Sequence, residues 1–412
     1  MSWRSKVQLL SLVTVVAAGA YARTAVSPLQ ESMKAALLLN DNEMALLQGP
    51  AMALPLLLTA VPLGLAIDRF SRVRLIVALA VLDTIASAAT ALTSSFVLLF
   101  AARCVVGAVG FSMLPIALSL LSDLYPPDRR GRATTIVSVS QLGGASAAFA
   151  LGGTLLAMSG SAPEGWRQAM LWLTVPLIAV ILLTCCMREP ARTGQSIKNP
   201  SVSRAWRELW DYRRTIGPLM IGMAMLETGL GAALIWAAPM LSRRFALAPD
   251  RVGAIMATAL LVSGAAGPIM GGVLADLCQR SGGPGRITAV LCVLAVLTVP
   301  AALFAITPAM APAAAVLVLF MTLIAASVVM ATTLFTTIIP NELRGLCVSV
   351  SVAVNVLFAI GIAPPIVSAL SGAIGGPATI GKALSLVCLS TSILAAAAFS
   401  VAQRYISCAV VK

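Results

Sequence analysis

Apolar stretches of about 20 residues, the length at which a helix crosses roughly 30 Å of hydrocarbon, recur along the chain with short polar breaks between them. They fall near residues 7–27, 45–67, 75–94, 96–122, 133–159, 168–187, 216–240, 250–276, 286–306, 311–339, 346–371 and 382–402. The pattern predicts twelve membrane-spanning helices, because lipid accepts a backbone only when its polar groups are satisfied within the segment. The first stretch resembles a secretory signal, with Lys6 ahead of an apolar run and a small-residue tail, AGAYA. It is read as a span, since its removal would leave eleven and break a symmetry visible elsewhere.

That symmetry lies in the loops. After the second span comes GLAIDRFSRVRL at 64–75, and after the eighth GGVLADLCQRSGGPGRI at 271–287. Gly64 with Asp68 and Gly272 with Asp276 keep a spacing of four at an offset of 208. After the fourth and tenth spans, PPDRRGRA and PNELRGLC align Arg130 with Arg344 and Gly131 with Gly345 at an offset of 214. The expected fold is an all-α membrane protein of two pseudo-symmetric six-helix bundles, residues 1–187 and 216–412, joined by a cytoplasmic linker at 188–215. Two such halves point to a carrier that works by alternating access, with its site between them near the midplane. Within the linker, Trp206 and Trp210 with arginines between them are spaced to lie along the inner membrane surface.

Composition agrees: 59% of the 412 residues are hydrophobic and 10% charged, where a soluble domain has about 25% charged. A net charge of +13 suits nucleic acid, but the basic residues sit in short loops, where they report orientation. With the N-terminus inside, twenty Lys and Arg face the cytoplasm and six the other side. The linker and both termini are therefore expected on the cytoplasmic side of an inner membrane. Eight cysteines show no metal-ligand spacing except the adjacent pair Cys185 and Cys186, and there is no histidine. No nucleophile–base pair, GxGxxG or GxxxxGK[ST] is present, which argues against an enzyme and implies no metal or other cofactor. The expected partners are a small-molecule substrate, the bilayer and protons, with no nucleic acid, and the expected state is monomeric.

At its loops the chain resembles the major facilitator superfamily, whose signature after the second helix is G-x-L-a-D-r-x-G-r-k. Gly64, Asp68, Arg69, Arg72 and Arg74 match it, and Ile67 and Ser71 depart from it. The second copy keeps Gly272, Leu274, Ala275 and Asp276, and RCVVG places Arg103 and Gly107 like the R-x-x-x-G of the fourth helix. A narrower resemblance, to the spinster-like lysolipid carriers and to organic-anion carriers, rests on AYARTAVSPL, RCVVGAVGFSMLPIALSLLSDLYPPDRRGRA, MREPAR and IWAAPMLSRRFAL. It implies a secondary transporter. The related pattern has an acid where this chain has Ala22 and a glutamate where it has Gly110, and those acids are the family's proton-coupling candidates.

A charge within the hydrocarbon costs roughly 3 kcal/mol or more, so each is a site candidate. Arg23 lies roughly 24 Å along helix 1 and Arg103 roughly 10 Å from the outer end of helix 4, at similar height. Two guanidiniums at one level suit a carboxylate or phosphate. The competing readings are that Arg103 bonds backbone carbonyls and that Arg23 snorkels outward. Glu227 in helix 7 is the expected proton acceptor, able to alternate between ion partner and neutral lining, or else a structural ion-pair partner. Asp83, roughly 12 Å from the inner face, is next in line for coupling and otherwise a structural partner. Gln48, Gln141, Trp236 and Asn355 are neutral lining candidates. Gly64, Asp68, Arg69, Arg72, Gly272 and Asp276 are read as an inner gate. An amphipathic anion suits this set best; a proton-coupled multidrug exporter and a non-transporting sensor on the same fold remain open.

Overall fold

The computed structural model describes residues 3–125, 127–160, 164–190 and 202–410, and every regular element among them is helical. The helices are α1 (Trp3–Thr24), α2 (Gln30–Ala36), α3 (Asp41–Gln48), α4 (Pro50–Arg69), α5 (Arg72–Leu92), α6 (Phe96–Leu124), α7 (Pro127–Met158), α8 (Gly165–Cys185), α9 (Val202–Asp211), α10 (Arg213–Phe245), α11 (Pro249–Ala301), α12 (Met310–Ile338), α13 (Asn341–Asn355), α14 (Ala363–Ile374) and α15 (Ile380–Val410). Eleven stretches among the described residues are long and apolar enough to cross a membrane. One of them, Pro249–Ile306, has 58 residues, and at about 1.5 Å per residue it is far longer than a bilayer is thick. It breaks at Gly283, whose φ of 62° and ψ of −152° no side chain tolerates. That break separates the eighth from the ninth span, so eleven stretches make the twelve crossings that the hydropathy pattern implies.

The C-terminal end of α1 runs on differently from the expected plain loop. A turn at Ser27–Leu29 leads into α2, and a capping box in which Asn40 and Glu43 bond reciprocally starts α3. Beneath them Ser27 Oγ donates to Gln48 Oε1 at 2.7 Å, and Gln48 Nε2 to Gln30 Oε1 at 2.6 Å. Gln48 is thus spent on a structural knot.

The chain divides into two compact units, Met1–Gln195 with Ala246–Leu261, and Ser196–Phe245 with Val262–Lys412. In the first, α1 crosses α6 closely: Gly19 and Gly110 approach so that a Cβ on either would sit 2.7 Å from the other's carbonyl oxygen. Apolar clusters pack around this crossing, one containing Tyr21, Leu29, Met44 and Trp166, the other Leu12, Val16, Ile116 and Leu120. In the second unit, α10 packs along the segment after α13, where Val356–Ile362 widens into a π-helix ahead of Pro364 and Pro365. Gly231 lies against Ala359 O, and Trp236 Nε1 donates to Pro364 O at 3.1 Å, both at a residue offset of 128. The helices therefore run parallel and in register, which puts Glu227 level with Asn355. Trp210 of α9 is exposed beneath the guanidinium of Arg213, 5.8 Å from its ring centre; Trp206 lies outside the described side chains.

Candidate functional site

The polar core of the first unit is built where α1, α5, α6 and α7 meet. Helix α1 ends at Thr24, so the carbonyl of Arg23 has no helical partner. Arg103 Nη2 donates to it at 2.7 Å and also meets Met52 Sδ at 2.8 Å. Arg103 is 0% exposed, and its Nε and Nη1 have no hydrogen-bond partner among the described residues. The Arg23 guanidinium stacks 3.6 Å from the centre of the Phe111 ring, while Nε donates to Gly19 O and Nη2 to Gln141 Oε1, both at 3.3 Å. Asp83, 3% exposed, is within electrostatic reach of both arginines, and its Oδ1 accepts no hydrogen bond among the described residues. Arg23, Arg103, Gln141 and Asp83 thus share one site. A guanidinium offers paired donors in a fixed plane and keeps its charge when desolvated, which is the chemistry that carboxylates and phosphates accept.

Glycine at 110 is part of the construction. A Cβ there would lie 2.7 Å from Arg23 Cγ and 2.9 Å from its Cδ, so the arginine occupies the space that a side chain at 110 would need.

Of the other lining candidates, Trp236 is 0% exposed with its indole committed to Pro364, and Glu227 and Asn355 are half-buried in the second unit. Among the described residues no three metal-ligating side chains come together.

At the start of α5, Arg72 is 3% exposed and holds Asp123 at 2.5 Å, Glu189 at 2.9 Å and Ser119 O at 3.2 Å. Glu189 Oε2 accepts from Ser71 Oγ and from Val73 N, each at 2.8 Å. Burial works against the Glu189 charge, but the Val73 N–H, Arg72 and Ser71 outweigh it and hold the carboxyl below its ordinary value. Asp123 and Glu189 were not singled out from the sequence; an acid soon after the sixth span, beside a signature arginine, was the available signal. Gly64 and Arg69 are exposed, Gly272 has open space around it and Asp276 is exposed. The Asp68 side chain lies outside the described ones. The aligned arginines have matching contacts: Arg130 Nε donates to Tyr125 O and Arg344 Nε to Ile339 O, both at 3.1 Å.

A triacylglyceride transporter of Mycobacteroides abscessus is 32% identical over 190 residues, which are 45% of this chain and 35% of that protein. One from Mycolicibacterium smegmatis is 35% identical over 148 residues, 35% of this chain and 24% of its own. The chain thus matches about a third or less of the length of these relatives. Among solved structures, a bacterial homolog of the human lysosomal transporter Spinster, inward-facing and unoccupied, superposes with a TM-score of 0.84 at 23% identity, covering 98% of each chain. A D-xylose–proton symporter superposes at 0.70 with 15% identity, over 95% of this chain and 96% of that one. Such likenesses speak for the fold, and the profile of the Major Facilitator Superfamily matches residues 12–365. With the loop signatures, the twelve spans and this match in agreement, the chain belongs to the Major Facilitator Superfamily.

Proposed function

We propose that this protein is a secondary transporter that moves an amphipathic organic anion, of lysolipid-like build, across a cell membrane by alternating access. The observation that carries this reading is the Arg103 side chain, wholly buried with two nitrogens unpartnered beside a second arginine. A guest rich in acceptor oxygens would offset the cost of such an arrangement, because a desolvated guanidinium without hydrogen bonds is costly. Apolar surroundings and relatives named for triacylglyceride transport favour a guest with acyl chains. Arg23 and Arg103 take its acidic group, Gln141 orients Arg23, and Glu227 and Asp83 are the acids for proton coupling. The linker and both termini face the cytoplasm.

The test is uptake into proteoliposomes containing the purified protein, with lysophosphatidylglycerol, triacylglycerol and a lipophilic cation offered separately. Movement of the anionic lysolipid, lost in Arg103→Gln, is expected. Preference for the uncharged glyceride would make the arginines structural, preference for the cation would favour a multidrug exporter, and no flux of any solute would favour a sensor.

A further inference from the structure

Helix α9 stands one residue ahead of α10 and packs against both α10 and α13, within the second compact unit. It therefore lies at the feet of the seventh and eleventh spans. Leu209, 9% exposed, is the side chain it turns into the unit. At 3.6 residues per turn, successive side chains step round a helix by about 100°. Trp210 and Arg207 thus fall on one flank of the line through Leu209, and Glu208 and Asp211 on the other. All four are exposed, Trp210 at 61%. Arg213 joins the first flank, because its Nη1 donates to Trp210 O at 3.0 Å and its guanidinium stands over the Trp210 ring. Arg214 beside it is exposed as well. The helix is sorted, with arginines round a tryptophan on one side and carboxylates on the other.

We propose that the face of α9 formed by Arg207, Trp210, Arg213 and Arg214 binds the headgroups of anionic phospholipids in the leaflet it adjoins. A one-residue connection keeps α9 at the depth where α10 leaves the hydrocarbon, which is headgroup level. A tryptophan is favoured there, since its ring is apolar and its N–H is polar. Any phospholipid would satisfy the ring, but three arginines on the same side ask for net negative charge, and guanidinium takes a phosphodiester through paired, charge-assisted hydrogen bonds. Glu208 and Asp211 then point away from the negative surface, which would repel them if the helix rolled over. Because α9 also grips α13, headgroups held on it fix the depth of two spans at once. This contact involves the bilayer and not the cargo.

Trp210 supplies the readout. The protein is placed in nanodiscs of phosphatidylcholine with phosphatidylglycerol as the minor lipid, and bromine on the upper acyl chain of one lipid or the other quenches the tryptophans it touches. The difference between the parent and Trp210→Phe isolates this ring from the rest of the six tryptophans. Per molecule, phosphatidylglycerol is expected to quench Trp210 at least about fivefold more effectively than phosphatidylcholine, the enrichment that one arginine near a charged surface supplies. Raised salt should erase the excess, a result that needs no change to the arginines. The triple variant Arg207→Gln, Arg213→Gln, Arg214→Gln should keep its melting temperature and its quenching by phosphatidylcholine but lose the excess, whereas lysine at the same three positions should retain most of it. Absence of Trp210 quenching by either lipid would put α9 off the leaflet, and equal quenching per molecule would make it an anchor blind to charge. An excess that survives in the glutamine variant would place the anionic lipid elsewhere. Each of these outcomes overturns the proposal.

Discussion

Arg23 and Gly110 form one unit of structure. Because the Gly110 Cβ position is 2.7 Å from Arg23 Cγ and equally close to Gly19 O, a carboxylate cannot be put back at 110 without moving a backbone. Gly110→Glu is expected to destabilise the protein by about 1–3 kcal/mol through overpacking; a melting temperature at or above the parent's would show that the crossing opens freely. Arg23→Gln and Arg103→Gln should each weaken anion binding by about 1.5–3 kcal/mol, the worth of a charge-assisted hydrogen bond. Arg103→Gln should also lower the melting temperature more than Arg23→Gln, since only Arg103 closes the end of α1. Both arginines were legible in the sequence, because the cost of a charge inside a span needs nothing but the spans. That Arg103 bonds a backbone carbonyl was one of the readings the sequence left open, and the structure has that bond; that the carbonyl is Arg23's, and that Asp83 lies near both arginines, was not legible, because both depend on which way each helix is turned, and apolar runs on nearly every face leave that undetermined.

At the scale of elements, the beginning of α5 is held by one acid from beyond α8. Glu189 satisfies the Val73 N–H and Ser71 as well as Arg72, so it caps a helix start where free N–H groups favour negative charge. Its carboxyl sits below its ordinary value of 4.5. The stability it contributes is therefore complete at neutral pH and is lost as pH falls through the lowered folded value. Glu189→Gln should melt below the parent at neutral pH, and the difference should shrink on acidification; a gap that stays constant would mean the charge is irrelevant. The long helices were readable from hydropathy, but α2 and the first turn of α3 were hidden in an expected loop. Asn40 followed three residues later by Glu43 was the signature of α3, short and polar enough to pass for a connection.

For the whole molecule, the basic residues predict orientation, twenty against six. Reporters fused within the linker and at the C-terminus should both report cytoplasm, and a linker reporter on the outer side would end the twelve-crossing topology. Coupling gives a second outcome at this scale. Glu227→Gln, which mimics the protonated acid, should exchange substrate across the membrane yet fail to concentrate it, because exchange needs only the loaded carrier. Accumulation that survives in Glu227→Gln and still responds to pH would assign the driving proton to Asp83 alone.

The two loop copies differ in most of their letters, yet Arg130 and Arg344 each reach back five residues to the carbonyl of the residue that caps the preceding helix. Such a bond is local: it asks nothing of the cargo and nothing of the opposite copy. Each copy therefore holds its own turn, whatever the other one does. Exchanging the octapeptides 126–133 and 340–347 between their two positions should leave expression and melting close to the parent's, whereas alanine at either arginine should lower both.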